Sequence, residues 1–388
     1  MNDKQSSPTD AASGALVRYA QFVVAATFVL IVIGGHTTTA GAGMAFPDWP
    51  LSHDSVNPDG WWENFMQRLE HGHRLVAEFV GLLIGILCAW VWRSRWGVPM
   101  SIAVSATLAV VAALAGAPRP VVAHVGLWSA ALTFAGFILY RSRQGGHFHS
   151  AAIRWMAFAA FAGVCAQAVL GGLRVVVESA GDIATATTYR VLHGCFAQVE
   201  LCLLVALATM LSPIWRQLCP LPQWRSLSTF SWITAGALLL QLIVGASMRH
   251  MHAGLAIPTF PVASPDGSWL PNVETAATYL NFLHTRIGAL LVTAVVLTLS
   301  IRTFRTAGGD RRLRNPAAAL ILLVLAQAIM GMFVIWKLRP PILTTLHVVN
   351  GAALLATTVM LAVRAGCASS HYVLSSKPVR ASLQEEAV

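Results

Sequence analysis

Residues 67–90 read QRLEHGHRLVAEFVGLLIGILCAW, so that Glu70, His71, His73 and Arg74 stand directly before a nearly unbroken apolar run. The run has the length of a membrane crossing, and ionisable groups placed at membrane depth tend to be functional because they are costly there. The whole chain agrees with that reading. Apolar residues make up 56% of it and charged residues only 11%, far from the composition of a soluble domain. Windows of about 20 apolar residues, enough to cross the hydrocarbon core as helix, fall at 17–35, 74–92, 98–117, 121–140, 153–175, 190–211, 229–248, 282–301, 317–336 and 342–364. The expected fold class is an all-α polytopic membrane protein of about ten spans.

The polar start MNDKQSSPTDAASG lacks the hydrophobic core and cleavage site of a signal peptide, so the first span is expected to persist and both termini to share one side. Most of the 26 basic residues, among them Arg93, Arg95, Arg141, Arg143, Arg311, Arg312 and Arg314, fall on that same side. The positive-inside rule then predicts a cell (inner) membrane protein with both termini cytoplasmic. This asymmetry accounts for the net charge of +10, and nucleic acid is not an expected partner. Arg74, Arg174, Arg249 and Arg286 lie at the opposite span ends, where they can face a bound anion. Cys88, Cys165, Cys195 and Cys202 fall within spans and Cys219 and Cys367 on the cytoplasmic side; with no C-x-x-C pattern, they read as small buried hydrophobes.

Working outward from the opening stretch, the chain repeats itself. GAGMAFPDWP at 41–50 returns as HAGLAIPTFP at 252–261, and the same offset of 211 carries His73 onto His284. AQAVLGG at 166–172 and AQAIMGM at 326–332 each precede a helix whose histidines align, His193 with His347. Two similar halves with even span numbers should be related by a pseudo-two-fold axis along the membrane normal. Residues 98–140 have no counterpart and read as an inserted helical hairpin on a four-plus-four core, although VVAHVG at the start of its second helix resembles a decayed extra copy. The predicted organisation is a tail at 1–16, an N-terminal bundle at 17–215 carrying the hairpin, a C-terminal bundle at 216–366, and a tail at 367–388.

His73, His193, His284 and His347 each fall within the first turn or so of a span, forming one layer near the outer leaflet. Facing helices that offer one imidazole apiece make a bis-histidine heme site, and repetition in register favours that reading over isolated hydrogen-bonded histidines. His71 points about 200° away from His73. His124 has suitable depth but no repeat partner. His36, His53, His250 and His252 lie in or beside outer loops, where propionates can reach them; His147, His149 and His371 read as solvated cytoplasmic residues. Glu70 shares a helix face with His73, whereas the repeat supplies Asn281 at its position. It is either a helix-start glutamate acting on the dipole or a carboxylate poised over a substrate at His73. Glu78 and Glu200 lie deeper and either bind helices together or pass protons.

Taken together, PDWPL, EHGHRLVAEFVG, AQAVLGGLRVV, LHGCFAQ, AGLAIPTFP, FLHTRIGALLV and LHVVNGAALLAT resemble the heme A synthase family across about residues 17–364, the hairpin excepted. The resemblance implies two four-helix bundles, a heme b cofactor in the C-terminal half and heme O as substrate in the N-terminal half. The implied reaction oxidises a ring methyl to a formyl through successive hydroxylations, the geminal diol losing water, for the assembly of heme A-containing terminal oxidases. His73 and His193 match the family's N-terminal pair, His284 and His347 its C-terminal pair, and Glu70 its catalytic glutamate; His124, Arg74 and Arg286 are weaker candidates. Candidate partners are membrane lipid, the farnesyltransferase that forms heme O, terminal oxidase assembly factors and a second copy of the chain. Two features depart from the family. The first outer loop lacks the cysteine pair many members carry, and the C-terminal motif reads HTR where HR is common, leaving Arg286 without a defined role. Other classes remain: a di-heme b-type electron-transfer protein, which needs no acid at one heme only, and a transporter, which would break its spans at mid-depth with Gly and Pro.

Overall fold

The computed structural model describes residues 13–144, 149–216 and 223–375, with the backbone alone at 216, 223 and 367–375. His147 and Cys219, and the side chains of Cys367 and His371, lie outside that description.

Helix starts fix where the functional layer lies. Asn64 accepts the Met66 and Gln67 N–H groups (3.0 and 3.2 Å), satisfying donors a helix start leaves free, so α2 begins at Phe65 and runs to Trp92. Asp182 caps α6 (Ile183–Leu211) in the same way through Thr185 N–H. Polar residues that hydropathy assigns to loops are therefore helical. His73 and His193 stand two turns or more inside their helices, deeper than the first-turn placement expected from the apolar windows.

Ten helices among the described residues are long and apolar enough to cross a membrane. Besides α2 and α6 they are α1 (Gly14–Thr39), α3 (Gly97–Leu114), α4 (Arg119–Ser142), α5 (Ala151–Ser179), α8 (Gln223–His250), a composite span of α9 (Ala276–Phe282), a π-helical turn Leu283–Gly288 and α10 (Ala289–Thr306), then α11 (Arg311–Trp336) and α12 (Pro341–Ser375). The short α7 (Pro213–Arg216) follows α6. The chain is an all-α polytopic membrane protein.

Packing follows the repeat. In the N-terminal half α1 and α5 each contact both α2 and α6, closing a four-helix ring; in the C-terminal half α8 and α11 likewise contact both α10 and α12. Each ring has its own apolar core, built around Leu83, Ile84, Leu87 and Leu207 in one and around Val296, Leu299, Leu320 and Leu361 in the other. The rings meet along α1, α6, α8 and α12, where Ile31, Leu201 and Ala352 form a small cluster of their own. The α3–α4 hairpin packs mainly on itself. Phe134 and Ile138 tie it to the N-terminal core, Phe134 lying edge-on to Phe161 of α5 with centroids 4.5 Å apart.

Candidate functional site

The four repeated histidines occupy equivalent seats. His73 on α2 and His193 on α6 stand on diagonal helices of the first ring, and His284, in the π-helical turn, and His347 on α12 stand diagonally in the second. Each imidazole lies against a glycine of a neighbouring helix. A Cβ at Gly34 would come 2.8 Å from the His73 ring and one at Gly245 2.5 Å from His284; at Gly171 and Gly331 the distances to His193 and His347 would be 3.2 Å. Gly245 follows Gly34 by the offset of 211, and Gly171 and Gly331 are the same position of the AQA motif. These glycines were legible in the repeat, yet only the packing shows what they make room for.

Glutamines seat the same layer. Gln167 donates to the His193 carbonyl (3.1 Å) and Gln241 to that of His284 (2.8 Å), while Gln327 lies 3.2 Å from the His347 ring Nε2 and accepts from Asn350 (2.7 Å). All four histidine Nδ1 atoms are buried without a hydrogen-bond partner. One imidazole from each of two diagonal helices, in both rings, fits axial ligation of a heme in each, with the Nε2 of His347 leaving Gln327 to do so.

His73 lies within electrostatic reach of His193, and both lie within reach of Arg174. The structure thus brings His193 to His73. His124 instead stacks edge-on against Trp49 (5.1 Å), a loop residue pressed onto Gly172. His71 is buried among Ser52, Phe46 and Trp61 and belongs to the loop contact. His53 packs on Phe46 and His36 on Phe65.

Above each histidine layer a long loop is laced down through equivalent carbonyls by an arginine of the histidine-bearing span. Arg74 donates to the carbonyls of Asp48 (2.8 Å), Leu51 (2.7 Å) and Phe46 (3.1 Å) and to Glu70 Oε1 (2.8 Å). Arg286 donates to the carbonyls of Thr259 (2.5 Å) and Val262 (2.9 Å) and to Asn281 Oδ1 (3.2 Å). Thr259 and Val262 follow Asp48 and Leu51 by the same 211 residues, but Arg286 follows Arg74 by one more. The π-helical turn absorbs that extra residue, Thr285, in one wide turn. Arg286 thereby acquires the role that the HTR spelling left undefined: it is the second half's Arg74.

Glu70 is 1% exposed, which removes the reading of a solvent-facing helix-start glutamate. Its Oε2 accepts the Phe46 N–H (2.9 Å), and its Oε1 faces Arg74 and, at 3.9 Å, Arg174. Arg174, which also holds the Gly43 carbonyl (2.9 Å), faces this site although the sequence marked it only as a span-end cation; its repeat position is Val334. Asn281 is fully buried and donates to the Ala253 carbonyl (2.9 Å). At the seam, Arg249 of α8 donates to Thr39 (2.8 Å) and to the Gly35 carbonyl (3.2 Å) of α1.

Residues 63–359 match the family model COX15-CtaA, described as cytochrome oxidase assembly protein. The chain is 26% identical to a heme A synthase of Shouchella clausii over 317 residues, covering 81% of this chain and 85% of that one. It is 23% identical to the mouse heme A synthase COX15 over 397 residues, covering 92% and 83%, and 23% identical to the human COX15 over 371 residues, covering 85% and 78%. With a family model spanning most of its length, the chain belongs to the COX15-CtaA family of cytochrome oxidase assembly proteins.

Proposed function

We propose that this chain, an oxidoreductase by its family, is a heme A synthase that oxidises a ring methyl of heme O to a formyl through successive hydroxylations, for the assembly of heme A-containing terminal oxidases. The observation that carries the reading is the duplicated diagonal histidine pair, seated on glycines in both halves, with a carboxylate added in only one. In this reading the N-terminal half, residues 17–215, takes heme O between His73 and His193. The C-terminal half, residues 216–366, holds heme b between His284 and His347; when bound, that heme supplies one-electron redox chemistry. The layer faces the outer side of the cell membrane and both termini are cytoplasmic, in keeping with the basic residues crowded at the other end.

Glu70 is the residue proposed to act on the substrate. The loop is held in the second half by neutral Asn281, so anchoring the loop does not require a charge at this position. The carboxylate that replaces it lies one helical turn from His73 and can accept a proton released as the methyl is oxidised, or stabilise positive charge developing at the methyl carbon. Arg74 and the Phe46 N–H orient it, and Arg174 beside it offers a cation to the substrate's carboxylates.

The equal geometry of the two pairs also suits a protein holding two permanent b-type hemes for electron transfer. Extraction of the hemes from the purified protein, followed by chromatography and mass measurement, separates the two. Heme b together with heme O or its alcohol is the expected result. Two equivalents of heme b, and nothing else, would overturn the synthase reading.

A further inference from the structure

The interior of the N-terminal ring holds one acid that the reaction as proposed does not use. Glu200 lies seven residues after His193 on α6, two turns deeper and on the same face, about 10 Å further along the axis. It is 5% exposed, and its Oε1 is buried without a hydrogen-bond partner. The carboxyl fits because Gly163 of α5 stands opposite it: a Cβ there would collide with Oε2. Gly171, eight residues along the same helix, stands opposite His193, so one face of α5 and one face of α6 carry both contacts, a histidine on glycine above and a carboxyl on glycine below.

The second half keeps the upper contact and discards the lower. His347 meets Gly331, but the positions equivalent to Glu200 and Gly163 are Leu354 and Leu323. Leu354 is buried, and both leucines belong to the apolar core. The first half thus forgoes packing that the same scaffold achieves with two leucines, and leaves a carboxyl oxygen unpaired at hydrocarbon depth, where an unmade hydrogen bond is costly. Such a group is completed by a ligand bearing a hydroxyl.

The substrate's orientation supplies that hydroxyl. A porphyrin's two carboxylates share one edge, and Arg174, hydrogen-bonded to the Gly43 carbonyl of the loop and 3.9 Å from Glu70 Oε1, draws that edge toward the loop end of the ring. The opposite edge then points down α6 toward Glu200. In heme O that remote edge carries a hydroxyalkyl chain, and in heme b a vinyl group with no hydrogen-bonding atom. We propose that Glu200 selects the substrate of the N-terminal half by accepting a hydrogen bond from the hydroxyl of heme O, and that Leu354 is the matching choice for the vinyl-bearing heme b of the other half. This inference rests on the proposed synthase function and names how its substrate is recognised. A site built to pair a hydroxyl discriminates strongly against a ligand that lacks one.

The test uses the purified full-length protein in lipid nanodiscs, with heme O or heme b added to the N-terminal site and the C-terminal heme b quantified separately. In Glu200→Leu, the KM for heme O is expected to rise about tenfold or more, with kcat less affected, and the preference for heme O over added heme b to vanish, while the C-terminal heme b stays at the wild-type amount. Glu200→Gln keeps an acceptor oxygen and should retain most of the affinity. Gly163→Ala, which pushes the carboxyl aside while keeping Glu200 in the chain, should weaken heme O uptake and leave the C-terminal heme untouched. Unchanged heme O affinity in Glu200→Leu, alongside wild-type conversion to heme A, would overturn this inference alone. Equal loss of heme from both halves would mark Glu200 as structural and also overturn it. A wild-type protein that oxidises no heme O would instead overturn the functional reading, and the selection role with it.

Discussion

The two halves differ less in what holds a ring between two imidazoles than in what surrounds it. Gly34 and Gly245, Gly171 and Gly331, and Gln167 and Gln327 are duplicated, and each loop is pinned through equivalent carbonyls by one arginine. Beyond that frame the N-terminal half has Glu70 where the other has Asn281, Arg174 where it has Val334, and Glu200 facing Gly163 where it has Leu354 facing Leu323. The C-terminal half has its own unduplicated polar groups: Gln241 where the other has Leu30 and Asn350 where it has Phe196, which seat His284 and Gln327, and Arg249, whose hydrogen bonds go back to Gly35 and Thr39 of the first half. Under the proposed function the duplicated parts are those that hold a heme in each half, and the ionisable groups particular to the N-terminal half are those a reacting, exchanging substrate would need.

The largest expected effect follows directly. His284→Ala or His347→Ala should abolish the stably bound b-type heme, measured by reduced-minus-oxidised difference spectra. His73→Ala should leave that heme at the wild-type level while product formation stops. Retention of the full b-type spectrum in both C-terminal variants would reverse the assignment of halves. Next comes Glu70→Gln, which keeps the size of the side chain and an acceptor for the Phe46 N–H. Loss of a positioned proton acceptor typically lowers a rate about 10²-fold or more, so this variant should bind heme b normally and accumulate heme O or the alcohol. A normal yield of heme A would leave Glu70 as a loop anchor, doing with a charge what Asn281 does without one.

Much of this comparison was legible before any coordinates. The spans, the inserted hairpin and the register of the four histidines follow from apolar runs and two repeats, one at an offset of 211 and one that sets His193 on His347, because hydropathy and repetition are properties of the chain itself. Depth was not legible: the helical stretches around Glu70 and Tyr189 are polar, and their inclusion in α2 and α6 depends on the Asn64 and Asp182 caps. The loop lacing was not legible either, since Arg74 and Arg286 bind backbone carbonyls, which leave no mark on side-chain identity. Arg174 was readable only as a span-end cation, because its relation to His73, His193 and Glu70 arises from the packing of α5 against α2 and α6.

A smaller effect separates the hairpin from the comparison. His124 is engaged with Trp49 and stands apart from the diagonal pair, so His124→Ala should keep conversion within about fivefold, the loss of a single aromatic contact being worth about 1 kcal/mol. His193→Ala should abolish conversion. The opposite outcome would make α4 a functional helix and the hairpin part of the catalytic half.

The smallest effect is expected from a deletion. Thr285 is the extra residue between His284 and Arg286, and its hydroxyl donates to the Asn281 carbonyl (2.7 Å) and receives Arg286 Nη1 (2.6 Å). A π-helical turn is an α-helix with one residue inserted, so removing Thr285 should return Leu283–Gly288 to α-helix with α9 and α10 in their present phase. Arg286 would then follow His284 directly, as Arg74 follows His73, and in that spacing the N-terminal arginine reaches the equivalent loop carbonyls without help. Deletion of Thr285 should therefore preserve heme b content and shift thermal stability little. Arg286→Leu, by contrast, removes the donor to the Thr259 carbonyl and one of two donors to the Val262 carbonyl, which keeps the Thr259 hydroxyl, at about 1–3 kcal/mol for the group left unpaired, and should lower the melting temperature and heme retention. Heme b measured after gel filtration compares the two variants. If the deletion loses heme as severely as Arg286→Leu, the π-helical turn is itself a requirement of the C-terminal site, and the two halves hold their rings by different means.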